Sequence, residues 1–198
     1  GDGLSDFATG TGGFDDARCR VQLVLGEAYD VASPPASWDV HASIDGVVDG
    51  GFLGASVDLG DVNGDGFDDL IVGKPMFNTV ELPRGAVYVW FGGAIAPPGP
   101  WPLSSADIVI EGSLPTEQCG TAVAALGDVD GDGIGDLGFT CGWWAPDNGP
   151  LRGRTVVFLG RTSWVPGTFQ ADYGDFQIEG TVDDEQSGAA LVGDFDFN

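Results

Sequence analysis

The sequence predicts an all-β fold, a β-propeller of four-stranded antiparallel blades in three repeats, and three observations carry that prediction. An acidic motif recurs: Asp61 to Asp128 is 67 residues and Asp128 to Asp196 is 68. Each period holds four short apolar runs between turn clusters, with no helical spacing. Finally, 34 Gly and 12 Pro in 198 residues break the chain too finely for long helices. Four antiparallel strands per repeat is the unit of a propeller blade, whereas solenoid rungs are shorter and sandwiches need not repeat.

Taken in order, the first full repeat offers strands A to D at Leu53–Leu59, Asp69–Val72, Ala86–Phe91 and Asp107–Ile110. The second offers Gly120–Leu126, Asp136–Thr140, Thr155–Leu159 and Phe176–Ile178. The third is split, with A at Gly188–Val192 and B to D at Ser5–Ala8, Arg20–Leu25 and Trp38–His41 or slightly beyond. The register is supported by Val-Tyr-Val-Trp-Phe-Gly at 87–92, Thr-Val-Val-Phe-Leu-Gly at 155–160 and Val-Gln-Leu-Val-Leu-Gly at 21–26. Blade 1 is thus expected over 52–111, blade 2 over 119–180, and a split blade 3 over 186–198 plus 1–46.

The recurring motif reads as a calcium loop between strands A and B. In Gly60-Asp61-Val62-Asn63-Gly64-Asp65-Gly66-Phe67-Asp68-Asp69, hard oxygen donors stand at positions 1, 3, 5 and 9. Asp61, Asn63, Asp65 and Asp69 can then converge on one Ca2+, with the Phe67 carbonyl at position 7. Asp128, Asp130, Asp132 and Asp136 take the same roles in the second copy, with the carbonyl of Ile134. The third is cut in two: Asp196 and Asn198 at one end, and Asp2, Leu4 (by its carbonyl) and Asp6 at the other. An EF-hand fails here, because position 12 is Val72 or Phe139 and not Glu. Hairpin turns alone explain one Asp-Gly run, but not three in register.

A net charge of −24 with only 7 Lys and Arg excludes nucleic acid and anionic membrane as partners and favours divalent cations. No apolar run approaches the ~20 residues of a membrane helix, and no signal segment opens the chain. Cys19, Cys119 and Cys141 define no disulfide framework; Cys119 and Cys141 flank one hairpin, which leaves a bridge or two buried thiols. His41 is the sole histidine, expected in strand D as a structural residue. Without an elbow, phosphate loop or zinc spacing, the chain reads as a non-enzyme.

Phe52-Leu53-Gly54-Ala55-Ser56-Val57, the loop 60–69, and Leu70-Ile71-Val72-Gly73-Lys74-Pro75 resemble the FG-GAP repeat of integrin α-subunit propellers. The second and third units depart from it, losing the Phe and the Gly-Ala-Pro end. The resemblance implies that A is innermost, that the calcium loops share one face, and that the B–C and D–A loops share the other, where partners bind. On that face Trp143, Trp144, Asp147 and Arg152 are the expected contacts for a protein or glycan ligand, the alternative being that one or both Trp pack onto the next blade. The resemblance and the calcium loops together imply an extracellular adhesion or structural scaffold. A carbohydrate-binding or polysaccharide-active module of a larger secreted enzyme is the alternative. Three blades do not close a ring, so the chain is expected either to be part of a larger propeller or to be completed by other copies, head to tail, through the split loop.

Overall fold

The computed structural model describes residues 4–11, 19–26, 39–46, 51–76, 83–94, 97–146, 149–183 and 190–191. The fold is all-β: a partial propeller of antiparallel sheets, with 3-10 turns at Leu103–Ser105 and Ala171–Tyr173. Its first sheet contains β1 (Phe7–Thr11), β2 (Arg20–Val24) and β3 (Ala42–Asp45). The second contains β4 (Val57–Gly60), β5 (Asp69–Lys74), β6 (Ala86–Trp90) and β8 (Ile108–Glu111). The third contains β9 (Cys119–Gly127), β10 (Asp136–Cys141), β11 (Arg154–Phe158) and β13 (Phe176–Glu179).

Two further strands answer to no expectation. β7 (Gly99–Trp101) lies parallel beside β3, and β12 (Gly167–Gln170) lies parallel beside β8. Each comes from the connection between the third and fourth strands of one blade and covers the outer edge of the blade before it. Pro and Gly hide these strands from a propensity reading, yet both are tolerated at a sheet edge.

Period-2 alternation builds two cores between the sheets. On β6, Val87 and Val89 face one cluster with Ile71, Ile110, Phe139 and Phe158, while Ala86, Tyr88 and Trp90 face the other with Val21, Ile44 and Val72. The run at 86–90 is therefore apolar throughout because both its faces are covered.

Three expected spans move. The split-repeat B strand is Phe7–Thr11 rather than Ser5–Ala8, its register set by pairing from Phe7 with Val24 to Thr11 with Arg20. The first-repeat A strand begins at Val57, because Phe52 (φ 54°) and Gly54 (φ 77°) turn the backbone left-handed ahead of it. The split-repeat D strand is Ala42–Asp45, so His41 precedes it; Ala42 and Ile44 alternate into the core, while Val40 is exposed. Trp38 lies outside the described residues, as does strand Gly188–Val192 except Ala190 and Leu191. Leu191 packs beside Gly138 of β10. Cys119 and Cys141 are bridged, tying β9 to β10, and Cys19 is a buried free thiol.

Blades meet backbone to backbone. A Cβ on Gly73 would stand 2.1 Å from the Gly120 carbonyl oxygen, and one on Gly10 the same distance from that of Gly54. Side chains lock the same seam: Ser56 Oγ and Asp58 Oδ2 accept the Val123 and Ala125 N–H groups. Gly73→Ala should therefore force β5 from β9 and lower stability by about 2 kcal/mol, roughly 4–8 °C in Tm for a chain of this size, measured by calorimetry.

Candidate metal centre

The two complete acidic loops fold alike, almost atom for atom. In the first, Asp61 Oδ1 accepts the N–H of Gly64 (2.7 Å) and Oδ2 that of Gly66 (2.8 Å). In the second, Asp128 Oδ1 accepts from Gly131 (2.7 Å) and Oδ2 from Gly133 (2.8 Å). Asn63 and Asp130 each accept the N–H two residues on, as do Asp65 and Asp132. Such Asx turns explain why Asp and Asn fill these positions. Gly64 and Gly66, with Gly131 and Gly133, hold φ between 76° and 92°, which a side chain would resist.

Position 9 is built differently. Asp69 and Asp136 are fully buried. Asp69 Oδ2 accepts the Val62 N–H and Oδ1 the Gly92 N–H; Asp136 takes Val129 and Gly160 in the same way. Each thus fastens its loop to the end of the third strand. Asp6 repeats half of this, accepting the Gly26 N–H at 2.8 Å. The signal was present in the aligned Phe91-Gly92, Leu159-Gly160 and Leu25-Gly26 pairs, although these glycines were not singled out as site residues.

The donor set fits a hard divalent cation. Carboxylate oxygens of Asp128, Asp130 and Asp136 lie within 4.8 Å of one another, and the side-chain groups at positions 1, 3, 5 and 9 are all carboxylate or amide. The charge of a divalent cation would offset the repulsion in each cluster. In the first loop the Asn63 Nδ2 group donates to Asp65 (3.2 Å) and Asp69 (3.4 Å), so an amide replaces a fourth carboxylate. Phe67 and Ile134 occupy position 7 in the two loops, and Leu4 the matching place beside Asp6. Asp2, Asp196 and Asn198 lie outside the described residues.

Burial pushes the Asp69 carboxyl up to about 6, helped by the charges of Asp65 and Asp61 and opposed by its two backbone N–H partners. In the metal-free chain the folded state holds this proton more tightly than the unfolded state does. That carboxyl therefore favours folding at low pH and loses its contribution as pH rises through about 6. A cation binds the deprotonated form, so affinity at the first loop should fall about tenfold per pH unit below 6. With four carboxylates against three, the second loop should bind Ca2+ more tightly than the first. Calorimetric titration of Ca2+ at two pH values checks both.

The loops are also joined in series. Asp61 O accepts the Gly135 N–H (3.0 Å) of the second loop, and Val62 O accepts Trp164 Nε1 (3.0 Å). Of the expected ligand-face residues, Trp143 is exposed and its N–H donates to Glu117 O. Trp144 packs into the core beneath Arg154, and Arg152 pairs with Asp183. Asp147 lies outside the described residues.

Four-stranded blades stacked face to face, with an oxygen-lined loop between the first two strands of each complete one, define a propeller-type repeat protein. Residues 53–90 match the FG-GAP repeat family model. The chain is 31% identical over 179 residues to human integrin alpha-IIb, covering 81% of this chain and 16% of that protein. It is 33% identical over 121 residues to integrin alpha-4 of Xenopus laevis, covering 61% and 11%. Human phosphatidylinositol-glycan-specific phospholipase D is 31% identical over 170 residues, covering 79% and 19%. The chain thus carries the FG-GAP repeat and has integrin α-subunit homologues over most of its length, while spanning less than a fifth of these relatives.

Proposed function

We propose that the chain is a calcium-stabilised, extracellular FG-GAP propeller segment that serves as an adhesion or structural protein-interaction scaffold. The observation that carries this reading is the duplicated loop, in which two sets of oxygen ligands are held in one geometry by matching backbone N–H groups. Its blades comprise 52–111, 119–180 and the split 186–198 plus 1–46, the last providing a third calcium loop from Asp196, Asn198, Asp2, Leu4 and Asp6. That split loop is where head-to-tail association with another copy would be read. A disulfide between Cys119 and Cys141 suits an oxidising, extracellular compartment. No helix among the described residues is long and apolar enough to cross a membrane.

The ligand, protein or glycan, docks on the face opposite the calcium loops, with Trp143 as its exposed aromatic anchor and Arg152 and Asp147 as further contact residues. Similarity to a phospholipase that acts on phosphatidylinositol-glycans keeps a second reading in view, a module appended to a secreted hydrolase. Arrays of extracellular proteins and glycans, probed with the calcium-loaded chain, separate the two. Binding to protein spots that falls at least tenfold in Trp143→Ala and in chelator supports the scaffold. Turnover of a saccharide or glycolipid by the chain overturns it.

A further inference from the structure

We propose that β13, the outer strand of the third sheet, is an acceptor edge for a parallel strand carrying a Pro-Gly-x-aromatic pattern, supplied by another repeat of this type. The inference does not depend on calcium or on the adhesion reading. It rests on two precedents within the chain. Pro98-Gly99-Pro100-Trp101 covers β3, and Pro166-Gly167-Thr168-Phe169 covers β8. The docking bond is the same in both: Gly99 N–H donates to His41 O and Gly167 N–H to Asp107 O, each at 2.9 Å and each to the residue immediately before the covered strand. Trp101 and Phe169 then pack against the inter-blade cores.

β13 presents the same edge. Gly180 N–H donates to Gly153 O, as Gly112 N–H does to Gly85 O in the preceding blade. By the alternation of an antiparallel ladder, Gln177 and Glu179 therefore turn their N–H groups outward, just as Val109 and Glu111 turn theirs to β12. Asp175, the counterpart of Asp107, would supply the first carbonyl. Among the described residues no strand lies beyond β13.

The occupant is indicated by the apolar flank around this edge. Ile108 and Ile110 are buried where β8 meets the next repeat, while their counterparts Phe176 and Ile178 are 40% and 62% exposed. Val62 is buried against the following blade, but its counterpart Val129 is 56% exposed. Each residue is apolar in both repeats, so the third sheet keeps the surface that a further repeat covers elsewhere. Strand addition to such an edge couples backbone hydrogen bonds with side-chain pockets.

The test uses a fluorescent peptide of residues 165–171 added to the full chain, read by anisotropy and by amide hydrogen exchange. The expected result is saturable binding with slowed exchange at Gln177 and Glu179. Gly167→Pro in the peptide, which removes the docking N–H, should weaken binding at least tenfold. Glu179→Pro in the chain should do the same; it removes an outward N–H and leaves the β11 ladder whole. Absence of saturation up to millimolar peptide would overturn the proposal. So would binding indifferent to both proline changes, or equal binding of a scrambled peptide.

Discussion

Asp128→Ala is expected to abolish Ca2+ binding at the second loop and to lower Tm in calcium by roughly 7–15 °C. Two losses combine. The side chain accepts three backbone N–H groups, those of Gly131, Asp132 and Gly133, and so organises the turn as an N-cap organises a helix start, an effect of about 1 kcal/mol. It also supplies position 1 of the ligand set. An ion present at a hundred times its dissociation constant stabilises the folded chain by about 2.7 kcal/mol, and that contribution disappears. Calorimetry in millimolar calcium and in chelator separates the two. The native chain should lose stability on chelation, while the variant should lose only the share of the remaining sites. A native Tm that ignores chelator would remove the metal from the account. Because Asp61 O accepts the Gly135 N–H, the variant should also weaken Ca2+ at the first loop, a coupling that titration of the two sites reports.

The conformation of the two acidic loops was legible in the sequence because the residues that shape it are local. Nine consecutive positions carry all the donors of one loop, and Asx and glycine geometry follows from residue type. The strands were legible where one pattern dominated, as at 86–90, whose apolar run reports burial on both faces. What failed was what depends on neighbours. The D strand of the split repeat was set too early, because Trp38 to His41 looks strand-like while the burial of Ala42 and Ile44 fixes the actual span. β7 and β12 were missed because three or four residues rich in Gly and Pro become strands only when an edge lies beside them. The Trp143-Trp144 pair leaves open whether each ring faces a partner or packs inward, and only the fold shows Trp144 turning in under a cation that lies ten residues on, Arg154. No local rule announces the Gly73–Gly120 approach either, since it joins two blades.

Breaking the buried ion pair of the third sheet is the second large effect. Arg154 at the start of β11 and Glu117 ahead of β9 are both almost wholly buried, with Nη2 to Oε1 at 2.7 Å. Nη1 reaches Asp172 (2.7 Å) and Gln177 (2.8 Å), and the guanidinium lies 5.3 Å from the Trp144 ring centre. Burial pushes the Glu117 carboxyl up, and the Arg154 charge and the backbone N–H groups of Leu114 and Ser113 oppose it. Glu117→Gln leaves a buried cation whose remaining anion, Asp172, is half exposed. The expected loss is about 3 kcal/mol, since removing one partner strands the other charge. Arg154→Met and Glu117→Leu should each lose a similar amount, whereas the two together should return to within about 1 kcal/mol of the native chain, because apolar replacement of a buried pair is close to neutral. Strictly additive losses in that double-mutant cycle would show that the two residues act separately. The pair also braces the loop that carries Trp143: the Trp143 N–H donates to Glu117 O, so either single change should speed amide exchange in that loop. An ion pair buried at that place spends electrostatic cost on fixing one loop, and that is the loop on which the proposed interaction depends.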